Sequence, residues 1–442
     1  MERLFGTDGI RGRAFVAPLD EDTVRRLGVA LADELESAPG GPSLLLAGDT
    51  RASTPTLAAW LGEAFQGAGG TLTWAGVLPT PAVSHLLRGG RWSAGVVISA
   101  SHNPAEDNGI KVLDRSGQKI ADASEHRLER RLTTSRAGVG ANLPLPDPSH
   151  AETYLELVAA SHSAKAPLAG MHVVVDAAHG AASGIARRLL ERLGARVTAI
   201  ASAPDGANIN RGCGAIAPAA LQAAVRETHA DAGLALDGDA DRAVLVDERG
   251  RLLDGDDLLL AWARHLARLD RLPQRRVVAT VMSNFGLERA LAVDGIATLR
   301  CDVGDRSVWL AMREHGAALG GEQSGHVICC HHSVSGDGLI TGSHLLAIAV
   351  ASGRPVSALS NFERLPQVLL NVPVTRRRPF AELPGVARAL AGVESTLDGR
   401  GRVLLRYSGT EPVARVMLEG DDRPEIETLA ADLANAIALE LG

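Results

Sequence analysis

Three times in this chain a short apolar run that reads as a buried strand stops at a small polar turn and passes into a helical pattern: LLLAGDTRAST at Asp49, HVVVDAAHG at Asp176 and VVATVMSNFGLERAL at Ser283. Parallel strands need a crossover, and the crossover is usually a helix, so this repeated order predicts α/β units with helices packed on sheets. At 442 residues the chain is too long for one core, since single cores stop growing at about 250–300 residues. Aromatic residues make up only 3%, so aliphatic side chains and alanine must fill those cores.

Helical periodicity over 22–35, a strand at 44–47, a helix at 56–67 and a strand at 71–75 make the first unit βαβ in type. Gly-, Ala- and Pro-rich sequence from Thr133 to Pro148 marks its end, and a helix at 151–161 opens the next. Beyond Asn361 the composition shifts toward Val, Pro and Arg, as for a strand, a linker and a small tail. The expected fold class is α/β: three related α/β domains with mixed sheets at 1–148, 149–250 and 251–365, then a smaller C-terminal α+β domain at 366–442.

Six blocks carry chemistry. In SASHNPAEDNGIK, 99–111, Ser101 follows an apolar strand, with His102, Asp107 and Lys111 within ten residues. Such a serine is either a nucleophile or phosphate carrier, or the Ser turn that ends a strand. The 45 basic residues include only three lysines, Lys111, Lys119 and Lys165, so Lys111 marks a place where a compact ammonium matters. LFGTDGIRG, 4–12, sets Thr7, Asp8 and Arg11 among glycines, as a ligand-approaching loop or a surface turn. In ALDGDADRAVLVDE, 235–248, Asp237, Asp239 and Asp241 alternate, and three hard oxygens suit a divalent ion such as Mg²⁺. An EF-hand is disfavoured by Arg242 at its glycine position and by strand-like flanks; a solvated acidic loop is the other reading. CDVGDRSVWLAM places Gly304, Asp305 and Arg306 ahead of a helix, and ALGGEQSGHV gives Glu322, Ser324 and His326, a set able to hold vicinal hydroxyls and move a proton, or else a surface turn. RVLLRYSGTEPVARVM combines Arg406, Ser408, Gly409, Thr410 and Arg415, guanidinium forks, hydroxyls and free N–H groups suited to a phosphate dianion. The RRR at 376–378 reads as a solvated edge.

These blocks resemble, in order, the motifs of the α-D-phosphohexomutases, over nearly the whole chain. The resemblance implies four domains around a central cleft, with Ser101 as the phosphoryl carrier. It implies one Mg²⁺ per chain on Ser101, Asp237, Asp239 and Asp241, and support of transfer by Arg11, Lys111 and Arg242. His326 and His102 would handle protons, Gly304, Asp305, Arg306, Glu322 and Ser324 the sugar, and Arg406, Ser408, Gly409, Thr410 and Arg415 the unreacting phosphate. Gln323 between Glu322 and Ser324 resembles the glucosamine-phosphate subgroup. The implied reaction is glucosamine 6-phosphate to glucosamine 1-phosphate through a bisphosphate, primed by hexosamine or glucose 1,6-bisphosphate and feeding UDP-N-acetylglucosamine and the cell wall. Phosphomannomutase or phosphoglucomutase activity, a non-catalytic sugar-phosphate sensor and a metal-dependent phosphatase are the rival readings.

The net charge of −7 argues against nucleic acid as a partner. Cys213, Cys301, Cys329 and Cys330 show no C-x-x-C spacing and read as reduced thiols of a cytoplasmic protein. The longest apolar run, 345–351, is too short for a membrane span, and MERLFGTDGI has no signal-type apolar region. The expected partner is a small hexosamine phosphate, and a homodimer is left open.

Overall fold

The computed structural model describes residues 4–6, 8–132, 142–408 and 411–442. Thr7, Gly409, Thr410 and most of the proposed 133–148 boundary therefore lie outside the described residues. The chain forms two compact units, Met1–Thr280 with Leu299–Asn361, and Val281–Thr298 with Phe362–Gly442.

The first unit contains one topology in three versions. In the first sheet the order is Ile10–Arg13, Asp107–Asp114, Ala94–Ile98, Ser43–Gly48, Thr71–Val77. Strand 94–98 runs parallel to 43–48, which runs parallel to 71–77, while 107–114 turns back antiparallel to 94–98. The second sheet repeats this with Leu252–Leu253, Ala243–Asp247, Ala232–Leu236, His172–Asp176 and Arg196–Ile200. The third is shorter, in the order Ala297–Cys301, Arg276–Thr280, Leu319–Gly321, Val327–Cys329, and it ends in the same antiparallel pair. Three turns are thereby equivalent. Residues 99–106, 237–242 and 322–326 each join the last parallel strand of a sheet to its antiparallel neighbour. The three loops singled out in the sequence are one structural position used three times.

The cores are aliphatic as composition requires. Leu27, Leu31, Leu44, Leu46, Leu57, Leu61, Val96 and Ile98 are all within 2% of complete burial beneath the first sheet. The helix Gly255–Arg268 starts on a capping box, Asp254 with Asp257, which satisfies N–H groups that would otherwise be buried without partners. It carries the fully buried Trp262. Among the described residues no helix is long and apolar enough to cross a membrane, and all four cysteines are free thiols.

Beside Trp262 the His344 ring lies 4.0 Å, centroid to centroid, from both His162 and His332. Burial lowers all three, His162 and His332 to about 4 and His344 to about 2, and Arg271 and the neighbouring rings push His332 and His344 further down. Ser161 and Ser343 bond the neutral rings of His344 and His162 at 2.9 and 3.1 Å, and His265 and Arg271 face the same cavity. In the unfolded chain each ring gains its proton near pH 6.5, so below that pH the unfolded state binds more protons than the folded one. Stability is full above pH 6.5 and is lost as the pH falls toward and through 4. Urea midpoints measured from pH 7 to 5 are expected to drop, and more steeply than in His344→Phe; equal slopes in the two proteins would place the acid sensitivity elsewhere.

The second unit has an antiparallel sheet in the order Gln367–Pro373, Val413–Gly420, Gly401–Tyr407. Helices Pro384–Leu397 and Arg423–Leu441 cover it around Val386, Val416, Leu418, Ile426 and Leu433. Helix Phe285–Val293 belongs to this unit, tied by Arg289 to Asp421 at 2.6 Å.

Candidate active site

Ser101 sits one turn beyond strand Ala94–Ile98, with φ at +52°. For a residue with a side chain this left-handed conformation costs about 1–2 kcal/mol, and it persists only where neighbours over-determine it. Arg51 supplies most of that constraint. Its guanidinium is buried, pairs with Asp49 at 2.9 Å, and donates to the carbonyls of Ser101 (3.1 Å), Asn103 (2.9 Å), Asp107 (3.0 Å) and Pro104. Asn210 Nδ2 reaches the carbonyls of Ser101 and Asn103 at 2.8 and 3.0 Å, and Ser99 Oγ links the Ser101 N–H to Asp49. The Ser101 side chain is left to donate to Asp237 Oδ2 at 2.6 Å, with His102 Nδ1 3.4 Å away.

The second loop meets the first because Gly238 has no side chain: a Cβ there would stand 2.4 Å from the Ser101 carbonyl oxygen. One oxygen each from Asp237, Asp239 and Asp241 falls within 4.8 Å of the others, all three residues buried. Thr80 Oγ1 donates to Asp239 Oδ2 at 2.6 Å, and Lys111 Nζ stands 2.7 Å from the same oxygen and 3.0 Å from Asp8. Burial, then Asp241 and Asp239, pushes Asp237 up to about 8. Burial also works against Lys111 and Asp241, but the opposite charges win: Lys111 is raised by Asp239 and Asp8, and Asp241 is lowered by Lys111 and His326. Asp239 Oδ1 and Asp241 Oδ1 are buried with no hydrogen-bond partner among the described residues. Three crowded carboxylates, two orphan oxygens and an aspartate that resists ionisation fit a divalent cation.

Arg242 follows the cluster, its N–H 3.2 Å from Asp237 Oδ1 and its Nε 3.8 Å from Asp241 Oδ1. Arg11, on strand Ile10–Arg13, pairs with Asp8 and reaches Asn103 Oδ1 at 3.4 Å. His102 is half-buried, and burial, Arg242 and Arg11 lower its pKa, which keeps the ring neutral near pH 7.

The third loop brings His326 to the same cluster, Nδ1 3.6 Å from Asp241 Oδ2. Burial disfavours its charged form, yet Asp241 raises the ring to about 9. The Gly336 N–H donates to Nε2 at 3.1 Å, so Nε2 is an acceptor in this geometry and the second proton that Asp241 favours can join it only once that turn moves. Buried Glu322 accepts from the Gly304 N–H at 3.0 Å, while Ser324 is exposed. Asp305 and Arg306 lie inside the first turn of helix Asp305–His315, where sequence reading placed them ahead of it. A cavity of about 460 Å³, sufficient for a small ligand, is lined by Asp241, His326, Lys119, Asp305, Arg306 and Trp309.

In the second unit Arg406 and Arg415 stand directly opposite on paired strands. Like charges so placed repel; Glu411, 3.0 Å from Arg415, offsets part of that charge, and an anion between the two guanidinium groups would offset the rest. Ser408 begins the connecting turn, with Glu411 N–H on its Oγ at 3.3 Å. Arg377, on the exposed RRR edge, donates to the carbonyls of Ser408 and Glu411 at 2.6 and 3.1 Å and so braces that turn.

Within the first unit the structure thus gathers Ser101, His102, Arg11, Lys111, Asp237, Asp239, Asp241, Arg242 and His326 around one point, with Gly304 and Glu322 joined nearby. Sequence reading named Asp8 without giving it a partner, and it missed the supports Arg51, Asn210, Thr80 and Lys119.

Comparison with known proteins agrees along the whole chain. Profiles of phosphoglucomutase/phosphomannomutase α/β/α domains I, II and III match residues 2–138, 152–250 and 254–365, and that of the C-terminal domain matches 369–436. A phosphoglucosamine mutase of Symbiobacterium thermophilum is 45% identical over 100% of both chains, and one of Solidesulfovibrio magneticus is 43% identical over 99% of both. Among solved structures, a phosphoglucomutase/phosphomannomutase family protein of Burkholderia thailandensis superposes with a TM-score of 0.80 at 25% identity, covering 99% of this chain and 98% of its own.

Proposed function

The chain belongs to the phosphoglucomutase/phosphomannomutase family, and from that premise we propose that it interconverts glucosamine 6-phosphate and glucosamine 1-phosphate through a phosphoserine at Ser101. The observation that carries this reading is the Ser101 hydroxyl 2.6 Å from Asp237, inside a cluster of three buried carboxylates. The choice of glucosamine rests on the phosphoglucosamine mutases at 43–45% identity over full length and on Gln323.

In this reading Ser101 Oγ carries the phosphoryl group. Its P–O bond breaks as a new one forms to the free sugar hydroxyl, whose proton passes to His326 Nε2 once the Gly336 N–H has moved off it. The bisphosphate then turns round and returns its other phosphoryl group to Ser101, with neutral His102 placed to exchange the serine proton. Arg11, Lys111 and Arg242 face the charge that shifts during transfer. Asp237, Asp239 and Asp241, with Ser101 Oγ, would hold one Mg²⁺, which when bound supplies charge neutralisation at the transferred phosphoryl group. Glu322, Ser324 and the Gly304–Arg306 segment hold the sugar, and Arg406, Ser408, Gly409, Thr410 and Arg415 hold the phosphate that is not reacting. The four modules 1–148, 149–250, 251–365 and 366–442, a cytoplasmic location and glucose or hexosamine 1,6-bisphosphate as priming donor belong to the same proposal.

The test is kinetic. With Mg²⁺ and glucose 1,6-bisphosphate, kcat/KM for glucosamine 6-phosphate is expected to exceed that for mannose 6-phosphate and glucose 6-phosphate by about tenfold or more, with phosphate on the Ser101 peptide. A preference for mannose or glucose phosphate would reassign the substrate. Absence of both turnover and phosphoserine would make the protein a sugar-phosphate binder, and steady release of inorganic phosphate a phosphatase.

A further inference from the structure

A ladder of alternating charge leaves the carboxylate cluster and ends at the third loop. Asp239 pairs with Lys111, Lys111 with Asp8, Asp8 with Lys119, and Lys119 with Asp305. The last rung is the informative one. Lys119 is one of three lysines in a chain rich in arginine, its side chain only 19% exposed. Burial works to remove its proton, and Asp8 and Asp305 more than restore it. A slim ammonium on a flexible stem fits between two carboxylates where a planar guanidinium would need more room.

Four further contacts fasten the same pair of segments. Arg306 Nη1 meets Asp122 Oδ1 at 2.7 Å and Glu125 Oε1 at 3.1 Å, Arg306 Nη2 donates to the Ile120 carbonyl at 2.8 Å, and Trp309 Nε1 donates to Gln118 Oε1 at 2.9 Å. On one side every partner lies in 118–125, the stretch after strand Asp107–Asp114; on the other, every partner lies in the first turns of helix Asp305–His315. The Gly304 N–H, at the cap of that helix, holds Glu322. The position of the Gly304–Arg306 and Glu322 group is therefore set from outside, by a segment of the first sheet's module.

We propose that Lys119 is a positioning residue: by bridging Asp8 and Asp305 it fixes the sugar-recognition segment against the phosphoryl-transfer cluster and thereby sets the choice among hexose phosphates. The inference rests on the function proposed above. Without Lys119, Asp8 keeps Lys111 and Arg11 as partners, whereas Asp305 loses its cation and faces a like charge. Asp305 is thus the group that moves, and the helix start moves with it.

In Lys119→Met, KM for glucosamine 6-phosphate is expected to rise about tenfold with a smaller fall in kcat. The ratio of kcat/KM for glucosamine 6-phosphate to that for mannose 6-phosphate is expected to fall about fivefold or more. That ratio does not depend on how much of the enzyme is folded, so general destabilisation leaves it unchanged. The double variant Asp122→Asn/Glu125→Gln, which removes both carboxylates that anchor Arg306 without touching Asp8, is expected to move KM and the ratio the same way and decides the matter if Lys119→Met does not accumulate. Parental KM and ratio in a folded variant would overturn the inference while leaving the function intact, whereas failure of the function itself shows in the parent protein, as no turnover of glucosamine 6-phosphate.

Discussion

Ser101→Ala is expected to lower kcat by a factor on the order of 10⁴ or more, and to abolish phosphate incorporation from glucose 1,6-bisphosphate, without loss of the fold. The hydroxyl oxygen is the only heavy atom removed, and its polar contacts are Asp237 at 2.6 Å and His102 at 3.4 Å. The backbone that aims it is held by Arg51, Asn210 and Ser99, none of which needs the Ser101 side chain. Alanine at φ +52° carries the same backbone strain as serine, so the loop has no new reason to move. Peptide mass mapping and steady-state kinetics on the same preparation check both outcomes. Phosphate appearing elsewhere in the variant with turnover preserved would remove Ser101 from the centre of the reaction.

Lys111→Met is expected to cost about 3–5 kcal/mol of stability in metal-free protein, the usual loss when one partner of a buried ion pair is removed. Lys111 is buried to 1% and neutralises Asp239, itself wholly buried, while also facing Asp8 and Asp241. Methionine fills the space of the stem but leaves those carboxylates to repel one another. Adding Mg²⁺ is expected to recover a larger share of stability in the variant than in the parent, because a divalent ion would restore positive charge where the ammonium was lost. Denaturant titrations with and without Mg²⁺ read both quantities. A loss under about 1 kcal/mol would mean that the aspartates are protonated or solvated once Lys111 is gone, and that the charge balance described here is wrong.

Much of this site was legible because its parts announce themselves over short stretches of chain. Asp237, Asp239 and Asp241 alternate within five residues, and Ser101 ends a strand whose apolar run is plain. The strand, turn and helix order also gave the three related modules, since periodicity survives at the level of single elements. Element ends moved by a few residues, as in helix Thr54–Gly67, where a start near 56 was expected. What stayed hidden acts at long range. Thr80 meets Asp239 across 159 positions, Asn210 meets Ser101 across 109, and Lys119 meets Asp305 across 186. No local pattern marks a residue whose partner is contributed by another module. Arg51 shows the same limit: it looks like one more polar residue in a turn, and only the fold shows it buried against four carbonyls.

The carrier loop, the acidic loop and the Glu322–His326 loop occupy cognate corners of three copies of one scaffold. A duplicated framework of this kind separates innovation from maintenance. Lengthening or recoding one of those corners alters a single task, such as holding a cation or discriminating a sugar, while the β-layers and their helices continue to fold as before. The opposite rims of the same layers, where connections such as Ala68–Gly70 and Gly194–Ala195 sit, are where this chain should accept tags and insertions without any change in its chemistry.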